Sequence, residues 1–238
     1  MSLQELVNMG VKDILSFDVH NGAVQNAIPL ASFENIYPTY NMVRSLVRTE
    51  PESVKNKNIV VIAPDTGAMD RAIYFAGVLE ADIGVFYKRR DHATVVDGVN
   101  PIVAHEYLGP CLEGKDILVV DDLIATGTSL LDVVDEAKKR DAARVYLAAT
   151  FGQFTKGVDN FDKYYKEGKL DRLFTTNLTY VPKEFKERPW FVDVDMSGFV
   201  AKLIDFYNHG MSLAPLLERS KQCKEMIARE LASPRGDK

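Results

Sequence analysis

The chain has 238 residues, 46% of them hydrophobic and 26% charged, with a formal net charge of −5. That is enough apolar material for one large domain or two small ones, and an acidic balance without a basic block argues against a general nucleic-acid binder, so any phosphate must be met by a focused site. No apolar run is long enough for a bilayer, no signal pattern opens the chain, and Cys111 and Cys223 form no CxxC pair; the expectation is a cytoplasmic protein with free thiols and neither a membrane nor a nucleic-acid partner.

In chain order, "LQELVNMG" reads as a helix closing at Gly10, "DILSFDVH" as a strand ending in polar residues, "YNMVRSLV" as a helix, and "ESVKNKN" as a polar linker before a new unit. The strand "IVVIAP" leads into "DTGAMDRAIYFAGVLE", where Ala68, Ala72, Phe75, Ala76 and Leu79 recur at helical spacing. "ADIGVFYKRR" is a strand ending in three cations, and residues 91 to 109 have no clear period and read as a long loop. "DILVVDD" is the next strand and "SLLDVVDEAKKRDA" its helix; "RVYLAAT" and "RLFTTN" are further strands with a helix between them. The tail after Met211 is helical by pattern and ends in a polar "SPRGDK". Such strand–helix alternation predicts an α/β fold, a mostly parallel sheet flanked by helices, with ligands at the carboxyl ends of the strands.

The strongest chemical signal is "ILVVDDLIATGTSLLDVV". Thr126, Gly127, Thr128 and Ser129 sit where a strand turns into a helix, so backbone N–H groups and the helix dipole favour a phosphate there, and Gly127 lets the backbone come close. Two carboxylates beside an anion site repel it unless they bind something else, and the hydroxyls of a sugar diol suit Asp121 and Asp122 as hydrogen-bond donors. Helix capping accounts for one acid but not for two. The segment is not the ATP-binding P-loop, because no Lys follows Gly127.

This strand, acid pair and Thr-Gly turn resemble the phosphoribosyl diphosphate motif of the phosphoribosyltransferase fold (type I). Four further stretches narrow the resemblance: "VVIAPDTGAMDRA", "VFYKRR", "GVKDILSFDVHNGAVQNAIP" and the pair "TTNLTYVP" with "MSGFVAKLIDFYNHGMSL". In this order, over roughly residues 4 to 215, they are similar to the ribose-phosphate pyrophosphokinase (phosphoribosyl diphosphate synthase) family. The resemblance implies a diphosphokinase that transfers the diphosphoryl group of Mg-ATP to the anomeric hydroxyl of ribose 5-phosphate, with AMP as the other product.

Carried over residue by residue, Asp121 and Asp122 hold the ribose hydroxyls and Thr126, Gly127, Thr128 and Ser129 the 5-phosphate. Lys88 and Arg90 are the catalytic cations, offsetting charge on the transferring group. Asp65, Thr66 and Gly67 line the pyrophosphate side, and Asp18, His20 and Asp65 are the implied ligands of Mg2+. Ala125 stands where these synthases carry an acid, as it does in some adenine-type transferases. The resemblance further implies a homo-oligomer, and a division into the end of a first phosphoribosyltransferase-like domain (1–50), a second such domain with the sugar site (51–195) and a helical C-terminal segment (196–238). Because the family has about one small domain's worth of sequence before the first helix, the expectation is a chain with little activity alone. The alternatives are a nucleobase phosphoribosyltransferase and a non-catalytic regulatory relative of the synthase.

Overall fold

The computed structural model describes residues 2–90, 102–217 and 220–232, without the side chains of 88–90 and 102–105. Helix α1 (Ser2–Asn8) precedes strand β1 (Asp13–Phe17), which pairs in parallel with β2 (Ser32–Ile36) in a separate two-stranded sheet. Helices α2 (Thr39–Thr49) and α3 (Pro51–Lys55) follow. The second of these occupies most of the stretch that reads as a linker. Pro51 lies at its first turn, where a missing N–H loses no helical hydrogen bond.

From there strands and helices alternate: β3 (Ile59–Ala63), α4 (Met69–Leu79), β4 (Asp82–Arg90), β5 (Ile102–Leu108), β6 (Asp116–Ile124), α5 (Thr128–Lys138) and β7 (Arg144–Gly152). The chain continues through α6 (Asp159–Lys166), β8 (Arg172–Thr176), α7 (Lys183–Lys186), β9 (Phe191–Val194), α8 (Ser197–Asn208), α9 (Ala214–Leu217) and α10 (Ser220–Ala232). The seven strands of the main sheet lie in the order β5-β4-β3-β6-β7-β8-β9. All neighbours are parallel except β5, which runs antiparallel to β4.

The central strands β3 and β6 are covered on both faces, which explains their unbroken Val, Ile and Leu runs. Val61, Ala63, Leu118 and Val120 face one core with α2, α4, α8 and α10, whereas Val60, Ile62, Ile117 and Val119 face the other with α5, α6 and Trp190. The two-residue strand period thus sorts one apolar run onto two cores. Met42, Val43, Leu46 and Val47 of α2 lie in the same core as Val61 and Ala72, so the segment before residue 50 packs on the main sheet. Each such side chain contributes about 1.5–3 kcal/mol on full burial. Ala68, Ala72, Phe75, Ala76 and Leu79 are all buried, as their helical spacing predicts.

The loop expected over residues 91 to 109 is corrected in part, because residues 102–108 form β5. Residues 91–101 lie outside the described residues. Among the described side chains of β5, Tyr107 packs its ring 5.0 Å from that of Phe86, with the Arg140 guanidinium 5.7 Å away. No helix among the described residues is long and apolar enough to cross a membrane, and both cysteines are free.

Candidate functional site

Three strand ends deliver the site. β6 continues past the acid pair to Ile124, so Asp121 and Asp122 stand inside its last residues. Asp122 is buried and Asp121 half-buried, and the Asp122 N–H donates to Asp121 Oδ1 at 2.9 Å. His20, just beyond β1, is exposed but brings its Nδ1 within 2.7 Å of Asp122 Oδ2.

These contacts push the two acids apart. Burial works against ionisation of Asp122, but its hydrogen bonds with His20 and Asp121 and the charge of Arg71 outweigh that and hold its carboxyl below the usual range. Burial, reinforced by the hydrogen bond with Asp122, lifts Asp121 to about 7. The hydrogen bond to Asp122 and the charge of that carboxylate raise His20 above its ordinary value. The two adjacent carboxyls thus have opposed environments, one favouring the proton and the other its loss.

The turn after β6 reaches α5 through Gly127, whose φ of +80° is the left-handed region that glycine occupies without penalty. A β-carbon at this position would collide with the ring of Phe161 from α6. Thr126 Oγ1 accepts from the Thr128 N–H at 3.3 Å and donates to Thr128 Oγ1 at 3.1 Å. From the far side, the Thr155 N–H donates to the Ala125 carbonyl at 2.8 Å. The first-turn N–H groups of α5 have no acceptor within the helix, and with the hydroxyls of Thr128 and Ser129 exposed they form an anion cradle.

At the end of β3, Asp65 caps the following turn, its Oδ1 accepting from the N–H groups of Gly67 at 2.8 Å and Ala68 at 3.3 Å. Asp65, Thr66 and Gly67 are all exposed.

Asp18 stands differently. It is buried, and Arg71 of α4 grips its carboxylate, Nη2 to Oδ1 at 2.6 Å and Nε to Oδ2 at 3.1 Å. Thr150, on β7, donates its hydroxyl to Asp18 Oδ2. Neither Arg71 nor Thr150 is legible as a site residue in the sequence: both pairings span large separations, and only the burial of Asp18 demands a cation.

The structure therefore joins His20 to the Asp121–Asp122 pair and sets the Thr126–Ser129 turn directly after it. Among the described residues no group of three or more His, Cys, Asp or Glu side chains is gathered to hold a metal. Lys88 and Arg90 lie near the end of β4, beyond its pairing with β3 and opposite β5, and their side chains fall outside the described residues.

A family model for the phosphoribosyl transferase domain matches residues 32–182. The chain belongs to the phosphoribosyl transferase domain family. That match spans β2 through the segment after β8 and so includes the acid pair and the Thr-Gly turn. Within this fold, the chain is similar to ribose-phosphate pyrophosphokinases. The one from Mycoplasma pneumoniae is 28% identical over 218 residues, 90% of this chain and 62% of that protein. The one from Vibrio cholerae is 30% identical over 203 residues, 84% of this chain and 59% of that protein. The phosphoribosylpyrophosphate synthetase structure from Mycobacterium smegmatis matches with a TM-score of 0.71 at 19% identity, covering 87% of this chain and 62% of that one, and shows the shared fold. The chain thus spans about three fifths of the length of these curated relatives.

Proposed function

We propose that this phosphoribosyltransferase-fold chain carries the ribose 5-phosphate site of a ribose-phosphate diphosphokinase, which moves the diphosphoryl group of ATP to the anomeric hydroxyl and releases AMP. The observation that carries the reading is the Asp121–Asp122 pair, placed one short turn before the anion cradle at the start of α5. The ionised Asp122 accepts from one ribose hydroxyl and Asp121 engages its neighbour, while the Thr126–Ser129 turn receives the phosphate. Held at both ends, the sugar presents its anomeric hydroxyl in a fixed direction, and positioning of that kind supplies much of the rate in phosphoryl chemistry. Lys88 and Arg90 are the cations assigned to the transferring group in this reading. Its assembly is a homo-oligomer in the cytoplasm, which light scattering and fractionation test.

Magnesium enters with the nucleotide. Asp18 does not fit as a ligand, because Arg71 and Thr150 take both its oxygens. In this reading His20 and Asp65, both exposed at strand ends, would hold it, and magnesium would fill its remaining positions with water and phosphate oxygens. Bound there, the ion would neutralise charge on the diphosphoryl group.

The test is AMP release dependent on ribose 5-phosphate, with ATP and magnesium, on this chain and on a chain extended to the relatives' length. Ala125 alone favours a second reading, transfer of a phosphoribosyl group to a nucleobase, and base-dependent release of diphosphate is its signature. Absence of both activities leaves a regulatory relative.

A further inference from the structure

The buried Asp18 ties together parts of the molecule that are distant in sequence. The residue adopts φ +42°, the left-handed region, at the point where the chain leaves β1. Aspartate is one of the few non-glycine residues that visit this region, commonly with a hydrogen bond to steady it. The support comes from every side. The Asp18 N–H donates to the Ile36 carbonyl at 2.9 Å, and the Val19 N–H donates to Asn35 Oδ1 at 3.0 Å. Arg71, its side chain 11% exposed against 1% for Asp18, grips the carboxylate from α4, and Thr150 reaches it from β7. A carboxylate this deeply buried is strongly destabilising without its cation, and the planar guanidinium fork fixes direction as well as charge, as an ammonium cannot.

Two residues further on, His20 is itself exposed, yet its imidazole meets Asp122. Nothing in its own burial holds it there.

We propose that Arg71 is a positioning residue of this site: clamped on Asp18, it fixes the turn that lays His20 on Asp122, and Asp18 is its counter-ion and not a metal ligand. The inference builds on the reading of Asp122 as a sugar-binding carboxylate. A divalent cation approaching Asp18 would have to displace the guanidinium and face its charge. At metal centres, residues that orient the ligating groups typically change affinity by roughly ten- to a hundredfold when removed, and an effect on that scale is expected here.

The test uses the full chain labelled with 15N at its histidines, with the His20 signals assigned by His20→Gln. Arg71→Met is compared with Arg144→Met, which removes a similar two-pronged contact to buried Asp116 at the opposite end of β6 and β7. In Arg71→Met the Nδ1–H signature of His20 collapses to that of a freely exposed histidine, and ribose 5-phosphate affinity falls roughly tenfold or more. Arg144→Met lowers the melting temperature and leaves both readouts unchanged. Arg71→Lys restores only part of the His20 signature. Should Arg71→Met not fold, Thr150→Val, which loosens the clamp from β7 alone, moves the His20 signature in the same direction by less. An unaltered His20 signature in a folded Arg71→Met or in Thr150→Val overturns the proposal. Failure of the wild type to bind ribose 5-phosphate counts against the functional reading alone, because the His20 signature needs no ligand.

Discussion

His20 and Asp122 are 102 positions apart in the chain, yet imidazole Nδ1 and carboxylate Oδ2 lie 2.7 Å apart. The contact bridges the small β1–β2 sheet and the main sheet at the acid pair, and it is charge-assisted when His20 is protonated.

Its pH dependence has a definite sign. The folded-state pKa of His20 is raised, so its stabilisation is fully present below the ordinary histidine value and is lost as pH rises through the raised one. His20→Gln is therefore expected to lower the melting temperature more at mildly acidic pH than at alkaline pH. Melting curves of both proteins at the two extremes check this.

Asp121 behaves in the opposite sense. Its pKa of about 7 means that the folded protein holds a proton the unfolded chain has already released. Between about pH 4 and pH 7 this costs the folded state progressively more as pH rises. Asp121→Asn should gain about 1–2 kcal/mol of stability above neutral pH and show no gain below pH 4. The same change should weaken ribose 5-phosphate binding, a trade between stability and function expected at sites that hold unfavourable charge. Chemical denaturation at several pH values, beside calorimetric titration, reads both.

Gly127→Ala should damage the anion cradle twice over, by the φ of +80° and by the collision with Phe161. The expected cost is about 1–3 kcal/mol, with loss of phosphate-dependent binding. A Gly127→Ala, Phe161→Leu double variant should recover part of the stability and little of the binding, because the backbone strain remains. Melting temperatures of the wild type and the two variants separate the two causes.

What the sequence revealed follows from where the signals lie. The β3 and β6 runs and the helical spacing of Ala68 to Leu79 are local patterns created by burial, and they could be read directly. The acid pair and the Thr-Gly turn are contiguous, so their chemistry was legible as well. β5 was not, since one face of an edge strand meets water and its existence depends on β4. β2 and β9, of five and four residues, are shorter still and borrow their order from neighbours. Helix α3 was hidden by its polar composition. The partnership of Arg71 with Asp18 was invisible for a different reason. A DxH sequence is compatible with metal binding, and only the three-dimensional path shows Asp18 turned inward to a guanidinium while His20 turns out to Asp122.

The central claim is that Asp121, Asp122 and the Thr126–Ser129 turn together bind ribose 5-phosphate. Isothermal titration calorimetry of ribose 5-phosphate into the wild type and into Asp122→Ala addresses it most directly. The account predicts saturable one-site binding to the wild type and at least roughly a tenfold loss in the variant, the scale of a lost charge-assisted hydrogen bond. Equal affinity in the two proteins, or no binding to the wild type, would contradict it.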